Sequence, residues 1–341
     1  MKIVNNIKKN TIVLLGLTII ILVVLLKDDY KEIVNALTSM NILYILLAIF
    51  FFFLYIFFKA YTFYITVDDK EKISLKESYK HQIITQFFNG ITPFSTGGQP
   101  MEIYMTTEHN ISGVEATNIS IQNFIFYQTA LVIYGVLAVS YNYIFHIFPK
   151  TELLRKLVLL GFLINTMVAV ALLAILISNT ITKKIVFFFI DLLSKIKVVK
   201  NKEKTKDKVN KLLDEFHKSA TELRNKKGLF TKGVILNFIS LTCLYIIPLF
   251  IVMSLGDYTS LNPLTTLTSS AYVLLMGSFV PIPGASGGIE YGFLQFYGNF
   301  LSKEVISAVL IVWRFITYYL GVILGAFAFS LEKKVDKNDI N

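Results

Sequence analysis

Two short stretches carry residues whose types and spacing point to chemistry. Residues 93–98 read PFSTGG and residues 283–288 read PGASGG, so both spell Pro-x-x-[Ser/Thr]-Gly-Gly. Proline and paired glycines interrupt a helix, yet both motifs lie inside apolar surroundings. Each runs straight into a helix-forming segment, QPMEIYM after Gly98 and IEYGFLQF after Gly288. Pro100 suits the first turn of such a helix, where no N–H is needed. A helix N-terminus presents N–H groups and partial positive charge, a seat for phosphate or carboxylate. Gly97, Gly98, Gly287 and Gly288 let a ligand approach the backbone, while Ser95, Thr96 and Ser286 add hydroxyls. The chemistry implied is capture of an anion, with a phospholipid head group as the candidate. A plainer reading stays open, in which Pro and Gly only shape turns and the hydroxyls only cap helices.

Three ionisable residues join the candidate site. Glu102 and Glu290 follow the two Gly-Gly pairs, and Arg314 lies within VLIVWRFITYYLG. Charges inside a bilayer are costly and point to function. Arg314 suits bidentate binding of a lipid phosphate or a permanent pair with Glu290. The glutamates suit either a coupling proton or a cap in the first helical turn. Lys59, near the inner end of its span, is expected to snorkel to the surface. No catalytic residue, metal site or cofactor emerges. The four histidines form no His-x-x-x-His pair, and the single Cys243 cannot make an internal disulfide.

The elements that must hold these residues are transmembrane. The chain has 341 residues, 54% hydrophobic and 16% charged, with a mean hydropathy of +0.61. Crossing about 30 Å of hydrocarbon takes roughly 20 apolar residues. Full spans are expected at 11–26, 41–67, 118–148, 153–178, 229–255 and 305–329, the first read as uncleaved because no small-x-small site follows it. Lys and Arg mark the cytoplasmic side. The segment 183–232 holds fifteen of them against six acidic residues. Lys2, Lys8 and Lys9, then Lys70, Lys72, Lys76 and Lys80, and finally Lys333, Lys334 and Lys337 mark the same side. With those anchors inside, 78–110 must begin and end inside and 262–302 outside, so neither crosses. Each is expected to be a re-entrant helical hairpin with its Pro/Gly tip near mid-membrane. The fold class is therefore an all-α integral membrane protein of about six spans plus two re-entrant hairpins. The order span, span, hairpin, span occurs twice with opposite orientation, an inverted repeat of residues 1–150 and 151–331 with a cytoplasmic tail at 332–341. Such repeats put a transported substrate at their interface.

Within 183–232, Val209, Leu212, Leu213, Phe216, Ala220 and Leu223 fall at helical spacing among lysines. That describes a basic amphipathic helix on anionic inner-leaflet lipid. Nucleic-acid binding lacks a supporting motif or aromatic stacking pattern. Gly321 and Gly325 form a GxxxG pair that suggests close helix packing.

TPFSTGGQPMEIY, PIPGASGGIEYGF and WRFITYY together resemble the lysylphosphatidylglycerol synthase transmembrane-region family, over nearly the whole chain. The resemblance implies a multi-pass protein of the bacterial inner membrane, with N- and C-termini cytoplasmic. It also implies movement of aminoacylated phosphatidylglycerol between leaflets, as in the flippase half of the multiple peptide resistance factor, an antibiotic-resistance protein. In that factor a separate soluble domain makes the lipid from Lys-tRNA. Here only LEKKVDKNDIN follows Ser330, so that transferase domain is expected to be absent and the chain is expected to be no enzyme. Three functions stay open: a lipid-binding translocase, a phosphatidylglycerol lysyltransferase that would use Lys-tRNA, and a non-catalytic membrane partner of a separate synthase. The expected partners are the bilayer and an anionic phospholipid, with a homo-oligomer or partner synthase beside them.

Overall fold

The computed structural model describes residues 30–67, 73–149, 152–177, 179–195, 202–225, 227–278 and 280–338. The expected first span, 11–26, lies outside them. Among the described residues all regular structure is helical, and the protein is an all-α membrane protein. In chain order the helices are α1 (Tyr30–Ser39), α2 (Ile42–Thr66), α3 (Leu75–Ile91), α4 (Gly98–Thr107) and α5 (Gly113–Phe145). They continue with α6 (Glu152–Ile177), α7 (Asn179–Lys195), α8 (Lys202–Asn225), α9 (Lys227–Tyr245) and α10 (Ile247–Ser254). The last are α11 (Pro263–Gly277), α12 (Gly288–Tyr297), α13 (Lys303–Arg314) and α14 (Leu320–Asn338).

Four stretches are long and apolar enough to cross a bilayer: Ile42–Thr66, Gly113–Phe145, Gly228–Ser254 and Lys303–Leu331. A shorter apolar stretch, Val158–Val170, lies within α6. By contrast α3, α4, α11 and α12 hold 17, 10, 15 and 10 residues. At 1.5 Å per residue even α3 rises only about 25 Å, short of the hydrocarbon thickness. The chain folds back instead: α4 packs on α3, and α12 packs on α11. Between them sit one-turn 3-10 tips, Pro93–Ser95 and Pro283–Ala285.

Local signals set the helix starts. Asn41 accepts from the Leu43 N–H at 2.9 Å, and Asn262 from the Thr265 N–H at 2.9 Å ahead of Pro263. The most complete cap opens α3. The Ser74 N–H and hydroxyl both donate to Glu77 Oε2 at 2.8 Å, and the Glu77 N–H returns to Ser74 Oγ at 3.3 Å. Ser74→Ala is expected to lower stability by about 1 kcal/mol, read as an earlier thermal midpoint of the detergent-purified protein.

Two long spans are less regular than their hydropathy implies. The stretch expected as one helix at 229–255 breaks at Ile246, because Pro248 carries no N–H for the preceding turn. The last span widens into a π turn at Phe315–Tyr319, directly after Arg314. Turns of this kind cluster at functional sites.

Helices early in the chain pack on helices late in it. α2 runs along α9 and α10, the first hairpin lies on α14 through α3, and the second lies on α5 through α11. In a bilayer such contacts depend on close approach and polar pairing, since lipid is as apolar as leucine. The GxxxG pair supplies close approach. Gly325 faces the Ile83 carbonyl and Gly321 faces Phe52 and Gln86, so α14 closes directly on α3. Phe293 stacks on Trp313 with ring centroids 4.7 Å apart, which locks α12 to α13.

The basic helix forms as α8, but lipid is not its sole cover. It packs on α5, α6, α7 and α9, and Leu213 is buried. Lys206–Asp191 and Lys183–Asp214, each at 2.7 Å, tie α8 to α7. These pairs are solvent-exposed and contribute little individually.

Candidate functional site

The two tips adopt the same turn. Phe94 and Ser95 have φ of 53° and 54°, and Gly284 and Ala285, at the same motif positions, have 64° and 49°. A left-handed conformation costs about 1–2 kcal/mol for a residue with a Cβ. Strain held at matched positions shows that the surrounding structure constrains both tips alike. The motif hydroxyls also match: Thr96 Oγ1 donates to the Pro93 carbonyl and Ser286 Oγ to the Pro283 carbonyl, each at 3.0 Å.

The tip amides are largely engaged by their own chain. At the first tip the Ser95 and Thr96 N–H groups bond the Thr92 and Pro93 carbonyls. The Gly97 N–H donates to Thr92 Oγ1 at 2.9 Å and the Gly98 N–H to Asn89 Oδ1 at 3.0 Å. At the second, the Gly287 N–H donates to Glu290 Oε2 at 2.6 Å. The motif therefore builds rigid bends, and ligand contact must come chiefly from side chains around them.

The tips touch each other, and beneath them lies a cavity of about 590 Å³. That is within the size range of small-molecule sites, but its walls are unusually polar for a membrane interior. α3 contributes Gln82, Thr85, Gln86 and Asn89; α5 contributes Ser120, Asn123 and Gln128; α6 and α9 contribute Asn165 and Asn237. Lys59 of α2 lines it as well, 5.6 Å and 5.7 Å from the ring centroids of Tyr55 and Tyr127. Lys59 thus turns inward and does not snorkel to the surface. No carboxylate lies within ion-pair distance of it among the described residues. Glu102 also faces the cavity, and its Oε2 accepts from Gln82 Nε2 at 2.7 Å.

Arg314 sits at the second tip. Its Nε and Nη2 both donate to Glu290 Oε1 at 2.6 Å, and Nη2 also reaches the Gly284 carbonyl at 3.0 Å. Both members of this pair are buried, with residue exposures of 6% and 5%. The guanidinium lies 4.6 Å over the Tyr318 ring, whose hydroxyl donates to the Gly90 carbonyl of α3 at 2.8 Å. One chain of contacts therefore runs from Glu290 through Arg314 and Tyr318 into the other hairpin.

Of the residues the sequence singled out, Ser95, Thr96, Glu102 and Arg314 line the cavity. Gly97, Gly98, Ser286, Gly287, Gly288 and Glu290 stand behind it, shaping the tips or holding Arg314. Sequence reasoning missed Lys59 as a lining residue and missed the carboxamides. The available signal was NISIQNFIFYQ in α5, where amides recur along an otherwise apolar span.

The family model described as the lysylphosphatidylglycerol synthase TM region matches residues 12–325. A protein of Archaeoglobus fulgidus called a UPF0104 membrane protein is 23% identical over 283 residues, covering 79% of this chain and 81% of its own.

Proposed function

The chain belongs to the lysylphosphatidylglycerol synthase transmembrane-region family, and from that premise we propose that it binds an anionic or aminoacylated phospholipid and moves it between leaflets. The observation that carries this reading is the polar cavity at two touching, broken-helix tips, lined by Lys59, which forms no direct ion pair among the described residues. A head group crossing a bilayer needs its hydrogen bonds satisfied at mid-depth, because hydrocarbon offers none. The cavity offers them while the acyl chains stay in lipid. Lys59 would hold the phosphate, Glu102 and Arg314 would flank the head group, and Ser95 and Thr96 would meet it at the first tip. The exchanged packing of hairpins and long spans supports two halves, 1–150 and 151–331, that rock about the site, in the manner of inverted-repeat transporters. On this reading the protein lies in the bacterial inner membrane with both termini cytoplasmic.

The test is transbilayer movement of a labelled phosphatidylglycerol in vesicles carrying the purified protein. Lys59→Met is expected to slow movement about tenfold or more, the worth of a charge-assisted hydrogen bond. It should lower stability by no more than about 1–2 kcal/mol, the worth of its contacts with the Tyr55 and Tyr127 rings. Gly98→Leu, which forces a side chain onto Asn89, should also slow it. Undiminished movement in both variants would contradict the reading. A lysyl-transfer assay with Lys-tRNA and phosphatidylglycerol separates it from the transferase alternative, which alone requires lysyl lipid as product.

A further inference from the structure

Eight carboxamides are among the residues that line the cavity, and several of them are pinned at one end. Asn123 Nδ2 donates to the Ile119 carbonyl at 3.0 Å, and Asn237 Nδ2 to the Gly233 carbonyl at 2.9 Å. A carbonyl only accepts, so each bond fixes which end is nitrogen and leaves Oδ1 as the remaining acceptor. Asn89 is fixed the other way: its Oδ1 accepts from the Gly98 N–H, leaving Nδ2 as donor. Thr85, 5% exposed, lines the same cavity, and its buried hydroxyl has no hydrogen-bond partner. Buried polar groups are normally partnered, and an exception calls for a ligand or water.

Pinned amide oxygens need a ligand that donates hydrogen bonds, and a pinned amide nitrogen with an unpartnered hydroxyl needs one that also accepts. A hydroxyl does both. The charges fit the same ligand. Lys59 forms no direct ion pair among the described residues and can approach one phosphate, while Arg314 is already matched by Glu290. Among the described residues Glu102 is the lining carboxylate; Gln82 donates to it, and Lys59 lies within electrostatic reach of it. At about 30 Å³ per water, the cavity has room for roughly 20 water-sized groups, more than a bare phosphate fills.

We propose that the cavity selects a polyhydroxylated head group joined through a single phosphate, with Lys59 on the phosphate and Asn89, Asn123, Asn237 and Thr85 on the hydroxyls. This rests on the lipid-translocation reading and narrows its substrate class away from cationic, aminoacylated lipid. Pinning matters because a held amide loses no further rotamer freedom when the ligand arrives.

The full-length protein is tested with four lipids: phosphatidylinositol, phosphatidylglycerol, phosphatidic acid and lysylphosphatidylglycerol. Two readouts are taken: movement across vesicles, and the shift in thermal midpoint when each lipid is added in detergent. Phosphatidylinositol is expected to move about tenfold faster than phosphatidic acid, the worth of one or two added hydrogen bonds, and to stabilise more. Asn123→Leu and Asn237→Leu should each reduce that ratio. Equal handling of phosphatidic acid and phosphatidylinositol, or preference for the lysyl lipid, overturns the polyol assignment and leaves translocation standing. If no lipid moves, translocation fails, and the thermal shifts alone decide the head-group class by the same ranking.

Discussion

Replacing Arg314 by methionine is expected to destabilise the protein by about 3–5 kcal/mol, the cost of leaving one member of a buried ion pair unmatched. The pair is tight, with Nε and Nη2 each 2.6 Å from Glu290 Oε1, and both side chains are buried. Loss of the guanidinium also frees the Gly284 carbonyl and the Tyr318 ring. The second variant in the cycle is Arg314→Met with Glu290→Gln. With both charges gone, most of the lost stability should return, because replacing a whole buried pair is far less costly than halving it. Phospholipid movement should not return with it, because the guanidinium that holds the Gly284 carbonyl and the Tyr318 ring at the cavity wall is still missing. Thermal midpoints and vesicle transport of the two single variants and the double variant give the full comparison. Full recovery of transport in the double variant would reduce the pair to scaffolding.

The second large effect is expected at Gly284→Ala. This residue has a φ of 64°, and a Cβ built there would overlap the Tyr318 ring. Tyr318 cannot yield freely, because its hydroxyl is tied to the Gly90 carbonyl and Arg314 lies over its ring. Overpacking typically costs about 1–3 kcal/mol, and the left-handed backbone adds about 1 kcal/mol for a residue with a Cβ. A total loss of about 2–4 kcal/mol should therefore accompany a break between the second tip and the first hairpin. Tyr318→Phe is the control, since it keeps the ring and loses only one hydrogen bond, about 1 kcal/mol. In the combination Gly284→Ala with Tyr318→Ala the clash is gone, so part of the stability should return.

The skeleton of this account was legible in the sequence because its signals are local. Hydropathy located the four long spans to within a few residues, and the Pro/Gly tips followed from residues that cannot continue a helix. The pairing of Arg314 with Glu290 is one of two partners the sequence leaves open for that arginine, because an intramembrane charge needs a partner. What stayed hidden depends on which way a helix is turned. α2 reads ILYILLAIFFFFLYIFFKAYTFYIT, apolar on every face. Nothing in its pattern tells whether Lys59 looks toward lipid, surface or cavity. The tip amides were likewise read as open, yet Asn89 and Thr92 satisfy two of them. Those residues precede the motif and meet it only because α4 folds back over the end of α3. The break at Ile246 and the π turn after Arg314 were missed for another reason: spans located by mean hydropathy carry no information about local helical pitch.

Cysteine labelling at the tips with a membrane-impermeant reagent tests most directly whether one cavity is served from both sides of the membrane. Thr96→Cys and Gly287→Cys are introduced singly into a chain whose buried Cys243 is replaced by alanine. Both positions are solvent-exposed in the structure. The account predicts labelling at 96 from the cytoplasmic face and at 287 from the opposite face, with labelling at 96 diminished when the preferred phospholipid is present. Labelling of both positions from one face, or of neither, would contradict a site that opens alternately between two inverted hairpins.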